Sequence, residues 1–330
     1  MVQKEMVQLD PLNGLYGFLK GLSPSDLKAN LPGFLHQFPK KLVTSALGDK
    51  VKTSVLVVDP QKDFAKIGGS LFVEGADQDM ERALELLCSI VGVVTQLFIS
   101  GDRHYPGAIF FPERHLLPNG RNPPPFMSVT AEDYLYNRWR SNPKSGNQNE
   151  QDNKVIHYCL EAAKKETPLM LWPHHCMEGS EGKKIVEPIA VFKQIFETYR
   201  KVSANVFYKG MDLDTEYYSV FSPVVNTNYD GKPLASTPAV TPQTFASSDI
   251  IIVMGEALSH CVGQTLRDLI GANLGKKIYL VRDCTSNVAG FEAQGEKFLE
   301  LLEVNGGHVV QSTTPFLDWP GVRKIFKERR

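Results

Sequence analysis

Short apolar runs recur along the chain and alternate with longer amphipathic stretches. Most runs are rich in β-branched residues and end in polar residues or glycine, as buried parallel strands do where a loop follows. Six strands are predicted, at residues 54–59, 93–100, 204–209, 249–255, 277–283 and 308–312. Helices are predicted at residues 77–91, 183–199, 261–273 and 291–305. This alternation predicts an α/β fold of three layers, α/β/α, with helices covering a central, mostly parallel sheet.

Two regions lack this alternation. Residues 1–50 contain several prolines and glycines with scattered apolar residues, which predicts an accessory segment of short helices beside a main domain at residues 51–330. Residues 111–153 contain PNGRNPPP and SNPKSGNQNEQDN, which predicts an insertion whose second half is mobile. No GxGxxG motif follows a predicted strand, so a dinucleotide-binding fold is not indicated.

Composition and charge exclude several classes of protein. Lys and Arg total 36 against 37 for Asp and Glu, and the formal net charge of -1 predicts no nucleic-acid partner and no anionic membrane surface. The chain has neither a transmembrane run nor the apolar core of a signal peptide, which predicts a cytoplasmic protein. Five cysteines without a CxxC pair argue against a disulfide framework or a structural zinc cluster. The sequence does not decide the number of subunits, and a homo-oligomer is possible.

Candidate chemistry lies where three predicted strands end. Asp59 follows the first strand in VVDPQKDF, Lys209 ends the third in FYKG, and Cys261 follows the fourth in GEALSHCV, where a helix begins. Folds of this class bind ligands at the carboxyl ends of their strands, and a helix N-terminus favours a thiolate. Taken singly, each residue also fits an ordinary role as a capping carboxylate, a solvated lysine or a small buried cysteine.

A second set of residues has the donor types of a metal site. Asp102 and His104, in GDRHYP, point the same way if their backbone is extended, and one of His174 and His175, in LWPHHC, is expected to face a site. Carboxylate and imidazole donors suit a divalent ion such as zinc, iron or manganese. Surface histidines in loops are the alternative interpretation. A zinc deaminase is disfavoured because the HxE and PCxxC motifs of that class are absent.

The strand-end residues together resemble a known catalytic set. Asp59, Lys209 and Cys261, in this order and each after its own strand, are similar to the Asp-Lys-Cys triad of the isochorismatase-like cysteine hydrolases. The resemblance spans roughly residues 51–313 apart from the insertion, and it implies the fold of that superfamily. It also implies that Asp59 takes the proton of Cys261, that the thiolate attacks an amide carbon to form a thioester, and that Lys209 supports both charges.

The metal donors narrow the resemblance to the nicotinamidase branch. Asp102, His104 and His175 are similar to its metal ligands, which implies a bound divalent metal, zinc before iron or manganese. The implied reaction hydrolyses nicotinamide, a small-molecule amide, to nicotinate and ammonia, as in NAD salvage. Some relatives have an additional ligand after the DxH pair, where this chain has GAIFFP, and His115 is the substitute considered for it.

The resemblance further implies where a substrate lies. Backbone N–H groups of Ala257 and Cys261 are expected to hold the oxyanion, next to a cis peptide bond between residues 256 and 257. The pyridine ring is expected among three aromatic side chains, Phe64, Trp172 and Tyr218. Two alternatives stay open: a related cysteine amidase acting on another small amide or ureide, and a catalytically inactive binding protein, against which the intact triad argues.

Overall fold

The predicted strands form one parallel sheet. The structure, a computed structural model, describes residues 44–234 and 239–329. Its main sheet contains β1 (Thr53–Val58), β2 (Gln96–Asp102), β3 (Asn205–Lys209), β4 (Ile250–Gly255), β5 (Ile278–Val281) and β6 (His308–Val310). The strand order is β6-β5-β4-β1-β2-β3, and every neighbouring pair is parallel. Every residue of β1 and β4 is buried, as expected for central strands covered on both faces.

Helices flank this sheet in the three-layer arrangement that the sequence predicts. They are α1 (Lys62–Ala65), α2 (Ala76–Ile90), α3 (Ala131–Leu135), α4 (Gln148–Ala163), α5 (Glu187–Arg200), α6 (Gly263–Gly271), α7 (Glu292–Val304) and α8 (Val322–Glu328). α2 packs against α5, and α6 packs against α7. Within the described ranges, no helix combines the length and the apolar character needed to cross a bilayer.

The inserted region contains regular structure. Two short antiparallel pairs join His115–Leu116 to Arg140–Ser141 and Ser128–Val129 to Leu169–Met170. The polar run predicted to be mobile is instead helical from residue 148 onward, where α4 begins. Asn147 in this run is the N-cap of that helix, because its side chain accepts a hydrogen bond from the backbone N–H of Glu150, while Asn149 and Asn153 lie within α4.

The predicted accessory segment lies mostly outside the described residues, which begin at residue 44. The short stretch that is described is held by α5: Arg200, itself buried, pairs with the Asp49 carboxylate and donates to the carbonyl of Thr44. The division into residues 1–50 and 51–330 stays a prediction.

Candidate active site

Four adjacent parallel strands bring the predicted catalytic residues to one edge of the sheet. Asp59 directly follows β1, Asp102 is the last residue of β2, and Lys209 is the last residue of β3. The register of β2 and β3 places Asp102 directly opposite Lys209. Cys261 follows β4, the other neighbour of β1. Residues far apart in the chain therefore meet at the carboxyl ends of the strands, as the sequence predicts.

Lys209 joins the predicted triad to the predicted metal donors. Its Nζ lies 2.9 Å from Asp59 Oδ2, 2.5 Å from Asp102 Oδ1 and 3.5 Å from Cys261 Sγ. Burial disfavours the charged form of Lys209, but the two carboxylates outweigh it and raise the pKa of the ammonium well above its usual value. Burial likewise opposes ionisation of Asp102, yet the Lys209 charge and His104 hold the pKa of that carboxyl below its usual range.

Asp59 is fully buried and fixed by a neighbouring serine. Its backbone has a φ of 45°, and Ser100 Oγ both accepts from the Asp59 N–H at 3.1 Å and donates to Oδ1 at 2.7 Å. Burial raises the pKa of Asp59, and the Lys209 ammonium opposes that rise. A buried carboxylate with a raised pKa is suited to accept a proton.

Cys261 lies in a π-helical turn, Leu258–Val262, that leads into α6. Burial raises the pKa of its thiol well above the usual value, with Lys209 acting in the opposite direction. Burial therefore opposes the thiolate that the helix N-terminus is predicted to favour. A base must take the proton, and a carboxylate oxygen of Asp59 lies within 4.8 Å of the sulfur. The predicted cis peptide bond between Glu256 and Ala257 is present.

Three predicted metal donors meet beside this triad. One ligand atom from each of Asp102, His104 and His175 lies within 4.8 Å of the other two. His104 Nδ1 donates to the carbonyl of Gly210 at 2.8 Å, and His175 Nδ1 donates to that of Pro173 at 2.8 Å. Both Nε2 atoms are therefore left as lone-pair donors.

An unpaired buried atom indicates that the donor set fits a metal ion. His104 Nε2 is buried without a hydrogen-bond partner, and it lies 3.6 Å from Asp102 Oδ2. Burial lowers the pKa of His175 to about 3, which keeps that imidazole neutral, as a metal ligand must be. Gln61 fixes the backbone of Asp102, accepting from its N–H at 2.6 Å and donating to its carbonyl at 2.7 Å.

The two remaining histidines considered as ligands lie elsewhere. His174 is exposed and bonds Glu113, so His175 alone of the adjacent pair faces the site. His115 is buried, with Nε2 2.6 Å from the carbonyl of Ile109 and Nδ1 2.5 Å from the Tyr134 hydroxyl. Both His115 nitrogens are engaged, so it does not serve as the additional ligand considered for it.

His115 should instead make the fold sensitive to acid. Burial lowers its pKa from 6.5 to about 4, so the unfolded chain binds more protons than the folded chain between these values. Stability from this residue is complete above pH 6.5 and is lost as the pH falls towards 4, a loss of about 3 kcal/mol. Urea unfolding across this range should show a shallower decline for His115→Gln than for the wild type. A His174→Gln control should keep the wild-type slope, and parallel slopes for all three proteins would contradict the assignment.

The predicted aromatic residues surround one cavity that Cys261 and Ala257 also line. Phe64, Trp172 and Tyr218 all contribute to its wall. Trp172 Nε1 donates to the Tyr218 hydroxyl at 3.1 Å, which fixes the two rings relative to each other. The structure therefore places the predicted aromatic wall, the predicted nucleophile and one predicted oxyanion donor around the same space.

Three further polar side chains line this cavity but were missed in the sequence. They are Glu216, Glu256 and His260. The His260 ring lies 5.2 Å from that of Trp172, and burial lowers its pKa to about 4, so a neutral imidazole faces the pocket. Burial raises the pKa of Glu216 to about 7. Their positions in the chain, close to Tyr218 and Cys261, could have indicated that they line the cavity. Charged and imidazole side chains in loops are normally solvated, however, so they were not expected there.

Comparisons with known proteins find similar chains over most of this sequence. No family model matches the chain. Over 257 residues it is 23% identical to the nicotinamidase of Saccharomyces cerevisiae, a match that covers 78% of this chain and 98% of the yeast protein. The chain is thus similar to a nicotinamidase along almost the whole length of the yeast protein. The solved structure of yeast nicotinamidase matches with a TM-score of 0.53 at 21% identity, covering 78% of this chain and 99% of that one.

A second nicotinamidase structure gives the same result. The nicotinamidase/pyrazinamidase of Acinetobacter baumanii matches with a TM-score of 0.51 at 19% identity, covering 79% of this chain and 97% of that chain. These matches confirm the predicted fold class. Both nicotinamidases are covered almost end to end, while about a fifth of this chain lies outside each match.

Proposed function

We propose that the chain is an amidohydrolase of the nicotinamidase type, which hydrolyses nicotinamide to nicotinate and ammonia. The observation that carries the proposal is the position of one buried ammonium, Lys209 Nζ, within 3.5 Å of Cys261 Sγ, 2.9 Å of Asp59 and 2.5 Å of Asp102. One cation thus holds together a cysteine, a base and a metal donor. These are the groups needed to hydrolyse an amide through a cysteine nucleophile beside a metal site. Homology to nicotinamidases supports the choice of amide.

The reaction begins with proton transfer from the thiol. Asp59 takes the proton from Cys261, and the sulfur attacks the carboxamide carbon while the carbonyl oxygen becomes an oxyanion. The backbone N–H groups of Ala257 and Cys261 hold that oxyanion. As the C–N bond breaks, Asp59 gives its proton to the leaving nitrogen, and ammonia departs from a thioester.

Hydrolysis of the thioester regenerates the site. Asp59 removes a proton from water, the hydroxide adds to the thioester carbon, and the C–S bond breaks to release nicotinic acid, which loses its proton to solvent and becomes nicotinate. The sulfur regains its proton from Asp59. Lys209 stays charged throughout and stabilises whichever of Asp59 and Cys261 carries the negative charge.

Asp102, His104 and His175 would hold a divalent ion, zinc before iron or manganese. When bound, the ion supplies a Lewis acid that can fix the pyridine nitrogen of the substrate directly or through water. Phe64, Trp172 and the remaining aromatic wall would exclude water from the ring.

Nicotinamide hydrolysis by adjacent-histidine variants tests the proposal. The wild type should release ammonia from nicotinamide, whereas His175→Ala should lose both metal content, measured by elemental analysis, and about 100-fold or more of its activity. His174→Ala is the matched control and should keep both, since that side chain is exposed and faces Glu113. Wild-type protein that is loaded with zinc and releases no ammonia would overturn the nicotinamide assignment.

The same variants separate the alternatives. A cysteine amidase for another amide or ureide would show no dependence on His175 with its own substrate. An inactive binding protein would take up nicotinamide, measured calorimetrically, without releasing ammonia.

A further inference from the structure

A second polar cluster lies beneath the turn that carries the proposed oxyanion donors. Its centre is a pair of buried carboxyl groups, Glu256 and Asp79, with 1% and 2% of their surfaces exposed. Glu256 directly precedes Ala257, and Asp79 lies on α2. Neither residue belongs to the triad or to the metal donors.

Hydrogen bonds connect this pair to the surrounding chain. Arg82 donates to Asp79 Oδ1 at 2.5 Å, and the Ser286 hydroxyl donates to Asp79 Oδ2 at 2.6 Å. The Ser286 N–H donates to Glu256 Oε2 at 3.2 Å, and its carbonyl accepts from the N–H of Leu258 at 2.8 Å. Ser286 therefore contacts both carboxyl groups and the turn on the far side of Ala257.

One oxygen is left without a donor. Glu256 Oε1 is buried and lacks a hydrogen-bond partner when both carboxyl groups are ionised, because an ionised carboxylate can only accept hydrogen bonds. Two ionised carboxylates here would face one guanidinium, and a buried uncompensated charge is costly. A proton on Glu256 satisfies the oxygen, because it can then donate to Asp79.

The electrostatics of the cluster favour that proton. Burial, followed by repulsion from the Asp79 carboxylate, raises the pKa of Glu256 well above its usual value, and Arg82 opposes the rise only weakly. The Cys284 thiol also lies near the pair, and burial raises its pKa, so it stays neutral. The Asp283 carboxylate instead accepts from the Ser312 backbone N–H and hydroxyl.

We propose that Glu256 and Asp79 share a proton, and that this pair, braced by Arg82 and Ser286, positions the Ala257 N–H towards the developing oxyanion. Glu256 is thus a positioning residue, since its carboxyl group acts through the peptide group that it shares with Ala257. The role of the pair in positioning the Ala257 N–H rests on the proposed function. The shared proton depends only on the contacts within the cluster.

Two substitutions of nearly equal shape test the shared proton. Glu256→Gln keeps a donor towards Asp79 and should retain kcat within about fivefold of the wild type, whereas Glu256→Met removes the donor and should lower kcat by about 10- to 100-fold with KM little changed. A loss of kcat in Glu256→Gln as large as that in Glu256→Met would contradict the shared proton, because the amide keeps both the acceptor for the Ser286 N–H and a donor towards Asp79. Glu85→Met, at an exposed position of α2, is the control and should match the wild type.

Two readouts separate this inference from the proposed function. Nicotinaldehyde, whose adduct with a thiol places an oxygen at the oxyanion position, should bind more weakly to Glu256→Met by the same factor as kcat falls. The infrared difference spectrum between wild type and Glu256→Gln at neutral pH should contain a protonated carboxyl stretch. Absence of that band, or unchanged kcat in Glu256→Met, overturns the inference even if the wild type hydrolyses nicotinamide. A wild type that shows the band but releases no ammonia overturns the proposed function instead.

Discussion

Replacement of Cys261 by alanine is expected to lower kcat for nicotinamide hydrolysis by about 10⁴-fold or more, because no other group can form the thioester. The folded structure should survive, since the change removes one buried sulfur atom. Mass spectrometry of wild-type protein quenched during turnover should detect the acyl group on a peptide containing Cys261. Asp59→Asn should also prevent acylation, because burial keeps the thiol protonated until that carboxylate accepts its proton.

The other buried cysteines provide the control. Cys88→Ala, on α2, should keep wild-type kcat even though that thiol is equally buried. Cys176 is the more demanding comparison, since it adjoins His175, but its backbone N–H is bonded to Asp63 at 2.7 Å and its sulfur lies 4.0 Å from the Gly182 carbonyl. An acyl group found on Cys176 in the Cys261→Ala protein would contradict the assignment of the nucleophile.

The sheet and the strand-end residues could be predicted because they follow from local pattern. Apolar runs with a polar residue at the end identify strands, and parallel strands align their carboxyl ends. That Asp59, Lys209 and Cys261 act together is predicted by their resemblance to a known triad, since the order of the strands in the sheet is not specified by local pattern. The link between Lys209 and Asp102 was not predicted. It depends on the register of β2 with β3, which no short stretch of sequence specifies.

Residues that act through tertiary contacts were missed for a related reason. Glu256 looks like a solvated loop carboxylate, and only the approach of α2 with Asp79 and Arg82 makes it a buried partner. The polar run at residues 141–153 is predicted to be mobile although α4 begins within it, because asparagine is common both in loops and at helix N-caps, as at Asn147.

Lys209→Met is expected to lower both the stability of the fold and the activity, because Lys209 contacts the triad and the metal donors. The substitution leaves two buried carboxylates, Asp59 and Asp102, without their shared cation, which should destabilise the fold by about 3 to 5 kcal/mol. Activity should be lost as well, since the charge that supports the thiolate and the base is gone. Urea unfolding should be measured on protein treated with a chelator, because a divalent ion at Asp102 would partly replace the missing charge.

A second substitution distinguishes the loss of the ion pairs from the loss of packing. Adding Asp59→Asn to Lys209→Met removes one of the unpaired charges, so the double variant should recover part of the lost free energy of unfolding while remaining inactive. Lys193→Met, which breaks a partly exposed pair with Glu197 on α5, should change stability by less than about 1 kcal/mol. If Lys209→Met were no less stable than Lys193→Met, the buried ammonium would not be what holds Asp59 and Asp102 together. The proposed coupling between the triad and the metal donors would then be wrong, because it depends on that single charge.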